Sequence, residues 1–161
     1  MATTIADQQA TYPLPAYNYR VAVLDGGGPI HIGCSEVSGL TVEFRPVTYK
    51  HGLSFALGSN IIPGQREPLR VTLKKGQTRR GDYLQKWLEQ TYADPFGGST
   101  KRDITIDLCD ESANPLIRWT LGRALPIKLE TSAFSASTQE VVIATMELVA
   151  HDLKVEYTTT G

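Results

Sequence analysis

Three histidines, two cysteines and a few paired carboxylates are the residues from which any chemistry in this chain would have to be built. His31, His51 and His151 fall in separate segments, with none of the close spacings that bring two imidazoles onto one metal. His31 lies beside a glycine-rich turn, where a solvated imidazole is ordinary. Cys34 and Cys109 are too few for a disulfide framework or a thiolate cluster, and neither belongs to a Cys-x-x-Cys pair, so two buried, reduced thiols are expected. Cys34-Ser35 follows a glycine but has no base in register, and no Gly-x-Ser-x-Gly elbow exists. Asp103 and Asp107 share the polar face of a strand four positions apart, and Asp110-Glu111 opens the turn ending at Asn114-Pro115; solvated edge charge accounts for both pairs. The expectation is no enzyme, with catalytic, cofactor-binding and metal residues all absent.

Two further segments invite a binding role. Asp25-Gly26-Gly27-Gly28-Pro29 has the glycines of a phosphate cradle, but it lacks the Gly-Lys-Ser/Thr ending and leads into another strand, so it reads as a hairpin connection. Lys74, Lys75, Arg79 and Arg80 flank Gly76 just ahead of a helical segment, at the end of the helix dipole that repels cations. They form either a solvated turn or a docking patch for an acidic protein surface. Sixteen basic against seventeen acidic residues, a net charge of −1, argue against broad binding to nucleic acid or anionic lipid. The charge is uneven: residues 1–80 carry nine basic and five acidic side chains, residues 81–161 seven and twelve. If those halves reach opposite ends of the fold, identical subunits can stack head to tail with complementary fields.

The elements that position these residues are mostly strands. Apolar side chains alternate through Tyr17/Tyr19/Val21/Val23, Leu40/Val42/Phe44, Leu69/Val71/Leu73, Ile104/Ile106/Leu108, Ile117/Trp119/Leu121, Val142/Ala144/Met146/Leu148 and Leu153/Val155/Tyr157. One segment departs from that period: Tyr83, Leu84, Trp87, Leu88 and Tyr92 make a single stripe on a helix of about three turns. Thr78 is its expected N-cap, Asp82 and Lys86 can pair across one turn, and Asp94-Pro95-Phe96-Gly97-Gly98 ends it. The predicted fold is mainly β: two packed antiparallel sheets, a sandwich or partly closed barrel, with one α-helix over an end or edge. Residues 1–12 read as a polar arm, 13–157 as the domain and 158–161 as a tail. No apolar run is long enough to cross a bilayer and no secretory signal is visible, so a chain made in the cytoplasm, without membrane insertion by the isolated subunit, is expected. The second face of Val141 to Val149 is too apolar to be left in water and calls for a partner strand or subunit.

Particular words in the sequence carry more than its composition. In order they are Pro13-Leu14-Pro15-Ala16-Tyr17-x-Tyr19-x-Val21, Ser35-Glu36-Val37-Ser38-Gly39-Leu40, Tyr49-x-x-Gly52, Pro63-Gly64 and Val71-Thr72-Leu73-Lys74-Lys75-Gly76. There follow the helix with Trp87, Arg102-Asp103-Ile104-Thr105-Ile106, and Trp119-x-Leu121-x-x-Ala124-x-Pro126-x-Lys128. From about Pro13 to Val155 this succession resembles the tail tube (inner tube) proteins of contractile-tailed phages and extracellular contractile injection systems, which are similar in fold to the haemolysin-coregulated protein.

The resemblance implies a structural subunit forming hexameric rings, stacked into a hollow tube inside a contractile sheath, with baseplate and spike proteins as further partners and protein cargo in the lumen. It implies assembly into a phage tail or a released, extracellular particle. It also implies two extended hairpins that complete an intersubunit barrel. Ser38, Gly39, Leu40, Val42 and Phe44 are the expected residues of one, and Val142, Ala144 and Met146 of the other. Thr41, Glu43, Arg45, Thr145 and Glu147 are the lumen candidates, although Pro46 resets the alternation and leaves the inward face open. Gly52 to Gly64 would reach an adjacent ring, with Pro63-Gly64 setting its turn, and Lys74 to Arg80 would lie near an outer or inter-ring surface. Gly39→Val would then block assembly more than folding. Against the family pattern, the amino-terminal arm is longer and Asp94 to Thr100 are extra. The alternative from residues alone is a stand-alone β-sandwich ligand-binding module, which requires an apolar pocket and no self-association.

Overall fold

The computed structural model describes residues 5, 11–80, 83–98 and 100–158. The elements among these residues follow one another in the order β1 (Tyr19–Leu24), β2 (Pro29–Ile32), β3 (Glu36–Ser38), β4 (Phe44–Tyr49), α1 (Ser54–Leu57), β5 (Asn60–Arg66), β6 (Leu69–Gly76), α2 (Tyr83–Ala93), β7 (Arg102–Cys109), β8 (Pro115–Thr131), β9 (Ile143–Ala150) and β10 (Asp152–Tyr157). All strand pairs are antiparallel. Sheet A runs β2-β1-β7-β8-β10, sheet B runs β8-β9-β6-β3, and β4 with β5 forms a separate two-stranded arm. The predicted mainly β, two-sheet class is the one found, and the sheets do not close into a barrel within the chain.

The 17-residue strand β8 serves both sheets, and a local irregularity makes that possible. Leu121 and Ala124 are both buried, a spacing of three where an unbroken strand would require two. Between them Arg123 takes φ = 52°, its N–H donates to Asp103 Oδ1 at 2.9 Å, and the β7–β8 register slips. The inserted residue resets the alternation and bends the strand, so both halves of β8 present an apolar face to one core.

That core lies between the sheets. Val21, Val23, Ile104, Ile106 and Leu121 face it from sheet A; Val71, Leu73, Met146 and Leu148 face it from sheet B. Helix α2 adds Leu84 and Trp87, and the indole Nε1 donates to the Thr100 carbonyl at 2.7 Å. Arg102 enters the same region. Its guanidinium lies 5.4 Å from the Tyr83 ring centre and 5.3 Å from that of Trp87, donates to Tyr83 Oη at 2.6 Å and Gln90 Oε1 at 2.7 Å, and has Asp25 Oδ2 at 3.5 Å. A buried cation survives here because ring faces, an amide oxygen and a carboxylate replace its water.

Local expectations differ in three places. Helix α2 begins at Tyr83, so Thr78 is not its N-cap; the Thr78 hydroxyl instead donates to the Arg80 carbonyl. Asp82, the expected partner of Lys86, lies outside the described residues, as does most of the 1–12 arm. A second helix, the single turn α1, is present, with Ser54 Oγ accepting from the His51 N–H at 2.7 Å.

On the outer face of sheet A, Asp107 accepts from Arg118 Nε and Nη2 at 2.6 and 2.9 Å and from Arg20 Nη2 at 3.3 Å. Hydrogen bonding by Arg118, with its charge and that of Arg20, holds the Asp107 carboxyl below the usual range despite burial. A depressed folded-state pKa contributes stability above the unfolded value, about 3.9, and that contribution disappears as pH falls through the folded value. Because Arg20 and Arg118 are 40% and 42% exposed, solvent screens them and the effect is on the order of 1 kcal/mol. Asp107→Asn should therefore lower Tm by about 2–4 °C at neutral pH and by progressively less below about pH 4. Thermal unfolding followed from pH 7 to pH 2 checks this: parallel wild-type and variant curves would contradict it.

Candidate assembly surface

The β4–α1–β5 arm leaves the sandwich at Gly39 and returns at Leu69. Gly39 has φ = +90°, and a Cβ there would sit 2.2 Å from the Arg70 carbonyl oxygen and 3.2 Å from Val71 Cα. This glycine therefore serves the chain's own β3–β6 contact. Gly39→Val is expected to cost fold stability directly, visible as a lowered Tm of the unassembled protein; an unchanged Tm would restore a role in assembly alone. Leu40 packs against the core, and the predicted Leu40/Val42/Phe44 strand begins only at Phe44, because Thr41–Glu43 find no partner strand.

Beyond that base the arm is strongly apolar and has no core of its own. Val47, Tyr49, Leu53, Phe55, Leu57, Ile61 and Ile62 are all exposed, Phe55 at 89%. An isolated two-stranded hairpin is marginal in water, so a surface of this composition points to a covering partner. The base is tied down. Arg45 Nε reaches Glu67 Oε1 at 2.7 Å, the Glu67 N–H donates to the Glu43 carbonyl at 3.0 Å, and Arg66 Nη2 donates to the Leu153 carbonyl at 3.2 Å while its guanidinium lies 5.8 Å from the Phe44 ring centre.

Pro63 and Gly64 do not set a turn. They lie in β5, with Pro63 opposite Pro46 at the β4–β5 irregularity, and a Cβ on Gly64 would meet the Arg45 carbonyl oxygen at 2.1 Å. Proline removes a ladder donor on each strand and glycine admits the close approach, which is why the sequence imitates a turn there. Gly52 does lie in the connection at the arm's tip, two residues before α1.

The second expected hairpin also changes character. Ala144 and Met146 are buried in this chain's core, and β9 is paired along both edges, to β6 and to β8, so its backbone has no group left for a neighbouring subunit there. Val142 is half-buried, its carbonyl accepting from Gln77 N at 2.8 Å. A free edge is found on β8 instead: Leu125 to Thr131 pair with β9 on one side and with no strand on the other among the described residues.

Sheet B turns a polar face away from the core, and the register arranges it in rows. Glu36, Lys74, Thr145 and Glu130 stand in one row; Ser38, Thr72, Glu147 and Lys128 stand in the next. Thr145 and Glu147 are thus on a common face, while Thr41 and Glu43 line a shallow cavity with Glu67 and Arg70 at the base of the arm. Lys74 and Lys75 point to opposite faces of β6, and Lys74 Nζ is bound to Glu36 Oε2 at 2.9 Å, so the expected four-cation patch is divided; Arg79 and Arg80 remain exposed in the loop ahead of α2. The sequence gives no sign that Glu36, Arg70, Lys128 and Glu130 share this surface, because only the register brings them together.

The reactive residues stay apart. No three of the described His, Cys, Asp and Glu residues converge on a common metal position. Burial pushes the Cys34 thiol up to about 11, which keeps it protonated and unreactive at neutral pH. No helix among the described residues is long and apolar enough to cross a membrane.

An apolar arm with no core of its own and a free sheet edge both call for a covering partner. The family model for the T4-like virus tail tube protein gp19 matches residues 15–154. The chain belongs to that family. Among solved structures, the tail tube fold is matched by the sheath-tube complex of the extracellular contractile injection system PVC in its extended state, at 25% identity and a TM-score of 0.82, covering 98% of this chain and 100% of that one. The tube-terminating cap of the anti-feeding prophage matches at 26% identity and a TM-score of 0.78, covering 92% and 93%. Hcp1 from Salmonella typhimurium shares the fold at 13% identity and a TM-score of 0.51, covering 89% of each chain. No curated protein matches this sequence.

Proposed function

We propose that this protein is the non-enzymatic repeating subunit of the inner tube of a contractile injection system or phage tail. The exposed apolar arm carries the proposal: a tail tube family member that extends Val47, Leu53, Phe55, Ile61 and Ile62 into solvent requires a neighbour to cover them. The arm of one copy lies along the free Leu125–Thr131 edge of the next, hexameric rings close by this head-to-tail contact, and that edge is covered. The polar face of sheet B, with Thr145 and Glu147, lines the lumen, and Thr41, Glu43 and Arg45 continue it at the base of the arm. The tip around Gly52 and α1 reaches the adjacent ring. Sheath, baseplate and spike proteins surround and terminate the tube, and its lumen holds cargo that moves with it when the sheath shortens.

Negative-stain microscopy of the purified protein, alone and with its baseplate, tests this. Rings or tubes of uniform diameter are expected. Monodisperse monomers under every assembly condition would refute it.

A further inference from the structure

The polar face of sheet B has an unusual charge economy. Lys74 Nζ lies 2.9 Å from Glu36 Oε2, and Lys128 Nζ lies 3.0 Å from Glu130 Oε2 and 3.9 Å from Glu147 Oε1. At the arm's base Arg45 is bound to Glu67 at 2.7 Å, and Arg70 shares a cavity of about 240 Å³ with Glu43 and Glu67. Four cations, Arg45, Arg70, Lys74 and Lys128, thus stand among five carboxylates, Glu36, Glu43, Glu67, Glu130 and Glu147, with Ser38, Thr72 and Thr145 hydroxyls between them. Glu36 faces Lys74 and Glu147 faces Lys128 across paired strands, and Glu130 stands two residues from Lys128 on β8, so the backbone register holds both lysines beside carboxylates.

We propose that this face is a self-neutralised lining, which lets polypeptide of either net charge pass and gives polyanions no hold. The inference rests on the tube assignment above, which turns the face towards the lumen. Polyanion binding draws its strength from cations free to replace condensed counterions, and it grows with their number. Here the lysines are already occupied, and repetition around a ring multiplies near-neutral units instead of building a field. A lumen lined by unpaired lysines would capture nucleic acid, and one lined by unpaired carboxylates would hold cationic protein and repel acidic protein. The chain avoids both extremes by placing opposite charges on facing strands.

The test uses assembled tubes and three fluorescein-labelled probes: a single-stranded DNA of about 20 nucleotides, a polyglutamate peptide and a polylysine peptide, each co-sedimented at about 50 and about 200 mM NaCl. Retention of the two anionic probes is scored as the part removed by K74Q/K128Q, which subtracts binding outside the face; retention of polylysine is scored as the part removed by E36Q/E130Q/E147Q. Wild-type tubes should retain none of the three. E36Q/E130Q/E147Q tubes, whose lysines are released, should retain roughly tenfold more DNA at the lower salt and lose it at the higher. Wild-type tubes that hold any probe through these residues would overturn the lining, and where the triple variant fails to assemble the two anionic probes, scored against K74Q/K128Q, still decide. Wild-type protein that forms no tubes would overturn the tube assignment itself, and with it this inference.

Discussion

Trp87→Ala is expected to lower the stability of the domain by about 3–5 kcal/mol, the largest effect of any single truncation proposed for this chain. Trp87 is fully buried, and its loss empties the junction between α2 and the sandwich. Two polar groups are stranded at the same time. The buried Thr100 carbonyl loses the indole N–H, and Arg102 loses one of the two ring faces that shield its guanidinium. The corresponding fall in Tm is about 6–20 °C. Trp87→Phe, which keeps most of the volume but not the hydrogen bond, should fall between wild type and alanine. Thermal unfolding by circular dichroism separates the three, and an alanine variant within about 2 °C of wild type would show that α2 is not integral to the core.

The second large effect concerns assembly and leaves the fold untouched. Phe55→Asp combined with Ile61→Asp should abolish ring and tube formation, while the Tm of the monomer changes by no more than the equivalent of about 0.5 kcal/mol. Both side chains are exposed in the isolated chain, at 89% and 73%, so their replacement removes no intrachain packing. In a closed ring the same two carboxylates would be desolvated at every interface, and the penalty is repeated with each copy. Sedimentation velocity with microscopy reads the outcome. Tubes at wild-type yield from a normally folded double variant would remove the arm from the interface.

Much of the sandwich is legible because its cause is local. The alternation of Val21/Val23, Val71/Leu73, Ile104/Ile106 and Met146/Leu148 is the pattern that faces the core, and the Leu84/Trp87 stripe marks the buried face of α2. Each of these follows from a period of two or of 3.6 residues that needs no knowledge of the partner. The arm is less legible. Ile61-Ile62-Pro63-Gly64 has neither period, and its strand exists because Val47 and Thr48 supply the opposing ladder. Arg102 is opaque for the same reason: nothing near it in sequence announces that Tyr83, Trp87, Gln90 and Asp25 will surround a cation.

The assembly surface shows the division most sharply. Ala144 and Met146 carry the hydrophobicity of a strand seeking a partner, and they have one, but it is the chain's own β6 and β8. Side-chain alternation states which residues are buried without stating whether a neighbouring strand belongs to the same molecule.

Sequence alone therefore determined the two-sheet β class, the α2 stripe and, through its ordered words, the likeness to tail tube proteins. Only the tertiary structure decided that β8 bends at Arg123 to serve both sheets, that Leu125–Thr131 form a free edge, and that Lys74 and Lys128 stand beside carboxylates of facing strands. Periodicity is written in neighbours along the chain; register, edges and charge pairing arise between residues far apart in it, and are fixed only when the strands are laid side by side.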